Sequence, residues 1–302
     1  MDTKNPITIV IPTRNRGYTL ERVLPSYYQQ KYVSQIVFVN DNSTDHTLNL
    51  IEKHSKLYPD IKTKVISTEE PKGSSYCRNQ GAEAAVNEYV LFGEDDAYLS
   101  ENYSEVLLNK LMSGMPKTGI VSGRLVLMSQ GENPNQSIKR FGNGNPKKEK
   151  LFRFSTCSHV PDAYFEKDVY LPLTHALILT TKTLLLSYPF DTHYSKGNAH
   201  REESDFQMHA YTNGYDILVT NETHCMHLHP SEVKIGGNRT PPLKSLFYKI
   251  RYTNYFYDKY YDLLKKRCRL LLPKFLAKTL YAWTQATEFG FAILLFLKKK
   301  IS

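Results

Sequence analysis

The sequence predicts an α/β fold in which a mostly parallel sheet is flanked by helices and followed by a C-terminal helical extension. Three observations carry this prediction. Short β-branched segments alternate with helix-length segments over residues 7–92, polar residues stand where each of these strands would end, and the chain after residue 241 is basic, aromatic and helical in character. Alternation of strands and helices at this spacing is typical of a parallel sheet with right-handed crossovers.

The first four strands are predicted with a helix between each successive pair. Residues 7–11 are a run of β-branched side chains, and the polar turn at 12–17 follows them. The same kind of pattern predicts strands at 35–39, 62–67 and 89–92, and helices at 18–30, 44–57 and 74–87. This order predicts a Rossmann-like, nucleotide-binding half that covers residues 1–98.

A second half, residues 99–240, is predicted to complete one domain of residues 1–240. Its apolar segments predict strands at 119–128, 175–181 and 216–220. The segment 129–150 is rich in Asn, Gly, Pro and Lys, so it is predicted to be a long loop.

The composition is that of an ordinary globular protein, with 302 residues, 41% hydrophobic and 23% charged. The N-terminal residues are polar and contain no apolar signal-peptide core. The four cysteines are widely spaced and form no CxxC pair, which favours free thiols in a reducing compartment. These features predict a cytoplasmic protein.

The C-terminal segment, residues 241–302, accounts for the net positive charge of the chain. From residue 243 onward it has 13 Lys and Arg against 3 acidic residues, while the remainder of the chain is nearly neutral. Its longest apolar run, 289–297, is shorter than the roughly 20 residues that span a bilayer. An in-plane anchor on an anionic cytoplasmic leaflet and a helical hairpin packed on the domain both fit, whereas nucleic-acid binding is a less favoured alternative.

Three consecutive carboxylates, Glu94, Asp95 and Asp96, follow the predicted strand 89–92. Like charges repel and desolvation penalises each of them, so this cluster is a poor core segment. The carboxyl edge of an open α/β sheet is where ligands bind, and carboxylate oxygens suit Mn²⁺ or Mg²⁺. The cluster therefore predicts a divalent-cation site, and a solvated acidic loop is the weaker alternative.

Polar residues also follow the first two strands, namely Thr13, Arg14 and Arg16 after the first and Asp41 after the second. The carboxyl ends of parallel strands lie side by side, so these groups are expected to share one crevice with the acidic cluster. A nucleoside diphosphate, which needs both a cation and hydrogen bonds to its base or ribose, fits such a crevice. Asp45, by contrast, is better explained as a helix cap.

Four linked motifs in the first hundred residues resemble those of family 2 glycosyltransferases of the GT-A fold. They are VIPTRNR at 10–16, VNDNSTD at 39–45, RNQG at 78–81 and EDD at 94–96. The resemblance continues in REESDF at 201–206, HLH at 227–229 and GGNR at 236–239, and it fades after Arg239.

The resemblance implies a role for each matching residue. Its implied nucleotide-binding residues are Pro12, Thr13, Arg14, Arg16, Asp41, Arg78, Asp95, Gly237 and Arg239. Its implied metal ligands are Asp96, Glu94 and His227. Glu203 would be the general base with Asp205 supporting the acceptor site, and Glu202 remains a rival for the base. Two departures are Glu94 and Glu203, each standing where Asp is usual in the family.

His224, His227 and His229 could also form a zinc site by themselves, because histidine is a common zinc ligand. The chain offers no cysteine pair to support a structural zinc. A site of carboxylates with one imidazole suits Mn²⁺ or Mg²⁺ better, and we choose His227 as that imidazole.

The function implied by the resemblance is metal-dependent, inverting transfer of a sugar from a nucleoside-diphosphate sugar, with UDP favoured. The acceptor would be a glycan, a lipid-linked sugar or a cell-envelope polymer. One alternative is a non-catalytic nucleotide-sugar-binding protein attached to a membrane by its tail. Another is a nucleotidyltransferase, which the single glycine of the 13–17 turn disfavours because phosphate loops are glycine-rich.

Overall fold

A mixed sheet with helices on both faces forms the centre of the computed structural model, which describes residues 5–142, 151–154, 156–237 and 239–301. The strands are β1 Ile7–Thr13, β2 Val33–Asn40, β3 Lys62–Ser67, β4 Tyr89–Phe92, β5 Ala97–Leu99, β6 Thr118–Leu127, β7 Phe152–Arg153, β8 Ser158–His159, β9 Val169–Leu171, β10 Ile178–Thr181 and β11 Asp216–His227. The α-helices are α1 Gly17–Tyr28, α2 Thr47–Leu57, α3 Ser74–Ala84, α4 Tyr103–Gly114, α5 Pro134–Gly142, α6 Lys182–Ser187, α7 Glu202–Thr212, α8 Pro242–Cys268 and α9 Lys274–Ile301.

Within the described residues the main sheet has nine strands in the order β3-β2-β1-β4-β10-β6-β11-β5, with β9 paired to β11. The predicted parallel order holds for β3, β2, β1 and β4. Beyond β4 the sheet is mixed, because β10 runs antiparallel to both β4 and β6 while β11 is parallel to β6. The predicted fold class is confirmed, with the parallel character concentrated in the first half.

The β1 residues are buried because helices cover both faces of the sheet, as expected for parallel strands. Ile9 and Ile11 face one side and join the cluster that includes Leu20 and Tyr27 of α1. Val10 faces the other side and joins the cluster that includes Cys77 of α3. This period-2 alternation fixes the register, so the carboxyl ends of β1, β2 and β4 stay at one edge.

The segment predicted as a long loop, 129–150, contains helix α5, and residues 143–150 lie outside the described part. The backbone N–H of Gln136 donates to Asn133 Oδ1 at 2.9 Å, and the N–H of Asn133 donates to Gln136 Oε1 at 2.9 Å. This reciprocal capping, with Pro134 opening the helix, stabilises its N-terminus. The loop prediction is wrong here because Asn and Pro favour helix starts as well as loops.

Two later strands differ from their predicted limits. β11 continues past Thr220 to His227 because the chain passes an irregularity in the pairing with β6 between Val219 and His224 and then resumes it. β10 begins at Ile178 and not at residue 175, because the Gln207 side chain bonds the backbone of Thr174 and His175 instead.

The C-terminal helices α8 and α9 form a hairpin that packs against the domain. A third hydrophobic cluster joins Phe256 and Tyr257 of α8 and Tyr281 of α9 to Met208 of α7 and Val219 of β11. The hairpin therefore shares a core with the sheet and α7. None of the helices in the described part of the chain is both long enough and apolar enough to cross a membrane.

Candidate functional site

A cavity of about 380 Å³ opens at the carboxyl ends of β1, β2 and β4. The strand order brings the polar residues after these strands together, and α7 with the segment before it closes the other side. The residues that line the cavity are Pro12, Thr13, Arg14, Arg16, Asp41, Ser74, Cys77, Arg78, Gly93, Glu94, Asp95, Asp96, Asn198, Ala199, His200, Glu202, Glu203, Gly237 and Arg239.

Glu94, Asp96 and His227 form a cluster that could hold a metal ion, with one possible ligand atom from each residue lying within 4.8 Å of the others. The His227 Nε2 atom is 2.8 Å from Glu94 Oε2, and its Nδ1 atom is 3.7 Å from Asp96 Oδ1. Pairing of β11 with β5 places His227 opposite Ala97, directly after the acidic cluster. The backbone of Glu94 is fixed by Tyr27, whose hydroxyl donates to the Glu94 carbonyl and accepts from its N–H.

Electrostatics in this cluster favour a positive charge among the carboxylates. Burial alone would raise the pKa of Glu94. The positive charge of His227 and its hydrogen bond to Glu94 outweigh burial, so the pKa of Glu94 is lowered. Burial likewise opposes protonation of His227, yet the Glu94 carboxylate raises the pKa of His227 above its usual range. Burial and the neighbouring Asp96 raise the pKa of Asp95 to about 7. A divalent cation would relieve this crowding of negative charge.

The buried Arg16 supplies positive charge beside the acidic cluster. Its guanidinium lies 3.9 Å from Asp95 and 3.7 Å from Asp96. Within the described residues its Nε and Nη1 atoms have no hydrogen-bond partner, although both are shielded from solvent. Buried donors without partners are costly, so these atoms suit a ligand that brings oxygen acceptors. Together with the two carboxylates and the imidazole, they fit a cation bound to an anionic, oxygen-rich group such as a diphosphate.

Arg78 connects the acidic cluster to α7. Its guanidinium is buried and lies over the rings of Phe92 and Phe190, at 5.2 and 5.7 Å from their centroids. Its Nε atom is 3.4 Å from Glu202 Oε1 and its Nη2 atom 3.5 Å from Glu94 Oε1. A buried arginine between two carboxylates stabilises both charges and fixes the distance between the elements that carry them.

Glu202 and Glu203 begin α7, but their environments differ. Glu202 is buried and accepts hydrogen bonds from the hydroxyls of Ser74 at 2.5 Å and Ser75 at 3.0 Å, in addition to its contact with Arg78. Glu203 is half-buried and lines the cavity. Burial and the neighbouring Glu202 charge raise the pKa of Glu203 to about 7. Glu203 is therefore a carboxyl group that can exchange a proton near neutral pH.

Asp205 does not line the cavity within the described part of the chain. It is buried between α7 and α8, where it accepts hydrogen bonds from the Tyr194 hydroxyl at 2.9 Å and from Lys259 Nζ and the Tyr260 hydroxyl. The structure therefore places this predicted acceptor-site residue in the interface with the helical hairpin.

Asp41 lines the cavity and also holds the loop after β3. Its carboxylate accepts hydrogen bonds from the backbone N–H of Lys72 at 2.7 Å and of Gly73 at 3.1 Å, and from the Thr68 hydroxyl. Asp45 lies one residue before the N-cap position of α2, His46, and accepts a hydrogen bond from the N–H of Thr47, the first residue of the helix, at 3.0 Å.

The glycine-rich segment at 236–237 packs on the turn after β1. Both glycines have positive φ, 77° and 58°, and a Cβ atom at Gly236 would lie 2.1 Å from the Asn15 carbonyl oxygen. The Gly237 N–H donates to the Arg14 carbonyl at 2.8 Å. Glycine is required here for close approach of two backbones, and the contact brings Arg14 and Arg239 to the same cavity.

Sequence reasoning missed the contribution of Ser74 and of residues 198–200, which also line the cavity. Ser74 starts a helix, and serine at that position is ordinarily explained by capping alone. His200 directly precedes the 201–206 motif, which was the one available signal. Of the predicted residues, His227 and Asp205 are the two outside the cavity lining, and His227 contacts Glu94 and Asp96 beside it.

The fold defines an α/β protein of the GT-A type. The chain belongs to glycosyl transferase family 2, whose family model matches residues 8–167.

Among known proteins the chain resembles the glycosyltransferase YibD of Escherichia coli, with 27% identity over 109 residues, 36% of this chain and 31% of that protein. It also resembles TarS of Staphylococcus aureus, a poly(ribitol-phosphate) β-N-acetylglucosaminyltransferase, with 30% identity over 129 residues, 37% of this chain and 22% of TarS. The matches thus cover about a third or less of these relatives.

Two solved structures share the fold. TarS 1–349 in complex with UDP-GlcNAc superposes with a TM-score of 0.59 at 16% identity, over 94% of this chain and 73% of that one. GalNAc-T7 with UDP, GalNAc and Mn²⁺ superposes with a TM-score of 0.62 at 16% identity, over 91% of this chain and 52% of that one.

Proposed function

We propose that this protein is a metal-dependent, inverting glycosyltransferase that uses a nucleoside-diphosphate sugar. One observation carries the proposal: a cluster able to hold a metal ion adjoins the cavity into which an ionisable carboxylate, Glu203, also opens. A leaving diphosphate requires charge compensation and an attacking hydroxyl requires a base, and these two groups supply both needs.

The donor we favour is a UDP-sugar. Asp41 and Arg78 would contact the base or diphosphate and Asp95 the ribose, while Pro12, Thr13, Arg14, Arg16 and Arg239 line the same cavity. The related folds of TarS and GalNAc-T7 were solved with UDP-GlcNAc and with UDP, which supports this choice.

The cation we propose is Mn²⁺ or Mg²⁺, held by Glu94, Asp96 and His227. Two carboxylates with one imidazole match the ligand preference of these ions, and the GalNAc-T7 structure contains Mn²⁺. A bound cation would offset the negative charge that develops on the leaving diphosphate.

Glu203 is the general base in this proposal. It would take the proton of the acceptor hydroxyl as that oxygen attacks the anomeric carbon and the bond to the diphosphate breaks. A single displacement of this kind inverts the anomeric centre. Glu202 is less suited to the role because Ser74, Ser75 and Arg78 already occupy its oxygens.

We further propose that the acceptor is a glycan, a lipid-linked sugar or a cell-envelope polymer. The named acceptor of TarS, poly(ribitol phosphate), is one such polymer. All four cysteines of this chain are free, which is compatible with work on the cytoplasmic side of a membrane.

The tip of the helical hairpin, residues 265–275, is our proposed contact with an anionic membrane. Within it Leu271 is 93% exposed and Phe275 is 66% exposed. Lys265, Lys266 and Arg269 stand beside them and make no ion pair within the described part of the chain. Exposed apolar side chains next to unpaired cations match the chemistry of an anionic bilayer surface.

The direct test is calorimetric titration of UDP, GDP, CDP and TDP with Mn²⁺ and with EDTA, followed by hydrolysis assays with the matching sugar nucleotide. We expect tight binding of one nucleotide that is lost in EDTA, together with slow release of that nucleotide from its sugar conjugate. Absence of binding would overturn the proposal. Binding without any turnover would instead support the non-catalytic nucleotide-sugar-binding alternative.

A further inference from the structure

One wall of the cavity is held in place by α8. Residues 198–200 form this wall, and the Asn198 side-chain amide donates to Ser245 Oγ of α8 at 3.0 Å. The carbonyl of Lys196, two residues before Asn198, accepts a hydrogen bond from the Tyr252 hydroxyl of α8 at 2.8 Å. The N-terminal half of α8 therefore packs against the segment that forms this wall of the cavity.

This packing region carries positive charge, and the two segments that form it contain no acidic residue. We call Lys196, Lys244, Lys249 and Arg251 the basic rim. The segments 192–201 and 241–257, which contain these residues, include no Asp or Glu. No rim residue makes an ion pair within the part of the chain that the structure describes.

The rim and the cavity wall are electrostatically connected. His200 lies in the wall, and its pKa is lowered by burial first and then by the charges of Arg201 and Lys249. Of the rim residues, Lys249 therefore acts electrostatically on the wall of the cavity. Lys196, Lys244 and Arg251 are exposed and Lys249 is half-buried, so a large ligand can reach the rim from solvent.

The interior of the cavity has the opposite sign. Four arginines line it, and they are outnumbered by six carboxylates, those of Asp41, Glu94, Asp95, Asp96, Glu202 and Glu203. A neutral acceptor would gain little from the four cations on α8 and on the segment that forms the wall. An anionic acceptor would be repelled by the interior unless cations outside it held the negative groups.

On these grounds we infer that the acceptor is a phosphodiester-bearing chain whose phosphates bind the basic rim while one of its hydroxyls reaches Glu203. This inference rests on the proposed glycosyl transfer and specifies its acceptor. Lys244 to Arg251 covers about 10 Å along the helix, enough to meet more than one phosphate of an extended chain. The hairpin tip, which we assign to the membrane, is separate from the rim, since Lys249 and Lys265 are about 24 Å apart along α8.

The test is titration of a short synthetic glycerol phosphate oligomer into the 302-residue chain in the presence of UDP and Mn²⁺. The rim variant carries Lys244→Glu, Lys249→Glu and Arg251→Glu. The matched control carries Lys265→Glu, Lys266→Glu and Arg269→Glu, with the same change in charge at the hairpin tip. We expect the rim variant to bind the oligomer about tenfold more weakly or worse, and the control to bind like the unchanged protein.

Three outcomes would overturn the inference: no oligomer binding by the unchanged protein, equal binding by the rim variant, or equal weakening in both variants. If the unchanged protein does not bind the oligomer, and if the rim variant but not the control loses binding to anionic vesicles, the rim binds lipid headgroups instead. UDP affinity measured in the same preparations separates this inference from the proposed function. Retained UDP binding with no oligomer binding removes only the acceptor assignment, whereas loss of both removes the function as well.

Discussion

At the scale of residues, Glu202 and Glu203 show what a motif can and cannot predict. The order of residues in the 201–206 motif indicated that one of the two is a base, but both remained candidates. The two differ because the hydroxyls of Ser74 and Ser75, on a helix far away in sequence, donate hydrogen bonds to Glu202. Glu203 faces the cavity. No local pattern contains that information.

Glu203→Gln should abolish most transfer while leaving UDP binding intact, because it removes a proton acceptor without changing size. We expect a loss of about 10²- to 10⁴-fold in turnover, measured as nucleotide release in the presence of acceptor. Glu202→Gln should instead lower the unfolding temperature, because it takes a buried carboxylate from Arg78. If the Glu202→Gln variant unfolds normally but has lost transfer, the base is Glu202.

The pH dependence of turnover follows from the raised pKa of Glu203. A base acts only when it is ionised, and burial with the Glu202 charge keeps Glu203 protonated up to a pH of about 7. The kcat/KM for the acceptor should therefore fall tenfold per pH unit below 7 and level off above it. A profile that is flat from pH 5 to 8, with UDP binding constant over that range, would contradict this assignment.

Asp96→Asn should weaken UDP binding in the presence of Mn²⁺, because it removes a charged ligand from the proposed metal site. Removal of a group that only supports a metal ligand typically lowers metal affinity roughly 10- to 100-fold. Since Asp96 would be a ligand itself, the loss of UDP affinity should be at least as large. Affinity measured in EDTA is the control and should hardly change. If the substitution leaves the affinity for UDP in the presence of Mn²⁺ unchanged, the assignment of Asp96 as a metal ligand is wrong.

At the scale of elements, the first half of the fold was predictable because three of its strands, β1, β2 and β4, are buried on both faces and form apolar runs, whereas the edge strand β3 is largely exposed. The mixed second half of the sheet was less predictable from the sequence. Strand β11 passes an irregularity near Asn221 that broke the pattern, and α5 starts with residues that also favour loops. Strand direction in β10 depends on its neighbours β4 and β6, which periodicity alone does not specify.

Gly236→Ala should reduce UDP affinity, because a Cβ atom there collides with the Asn15 carbonyl and separates the 236–239 segment from the turn after β1. Gly131→Ala is the matched control, since Gly131 has a similar φ of +74° but nothing within 4 Å of the added atom. Both variants should lose about 1–2 kcal/mol from the strained backbone. Only the first should bind UDP weakly in calorimetry; a similar loss in the control would assign the effect to general destabilisation.

At the scale of the whole molecule, the C-terminal hairpin is bound to the domain more closely than its composition suggested. Arg201, the residue before the two glutamates, has φ of 77° and donates to the carbonyls of Thr156 and Cys157 and to Thr253 of α8. Lys259 of α8 binds Asp205 of α7. Removal of residues 242–302 would expose the third hydrophobic cluster, so point substitutions are the cleaner way to test the hairpin.

Leu271→Glu with Phe275→Glu should release the protein from vesicles that contain anionic lipid, because the change replaces apolar contacts with repelled charges. Both side chains are exposed, so the unfolding temperature should stay the same. Leu57→Glu, at an exposed apolar site at the end of α2, is the control and should leave vesicle binding unchanged. Cosedimentation with vesicles measures both; undiminished binding of the double variant would place the membrane contact elsewhere.

Trp283 is the one tryptophan of the chain, and on α9 it is 70% exposed. Because this tryptophan can be excited selectively in the presence of the 22 tyrosines, its fluorescence emission reports on a single surface of the hairpin. A shift to shorter wavelength on adding vesicles would record entry of that indole into an apolar environment, and quenching by a soluble agent would report the fraction still in water. The protein thus carries its own optical probe for whether the hairpin meets a bilayer, with no label to introduce.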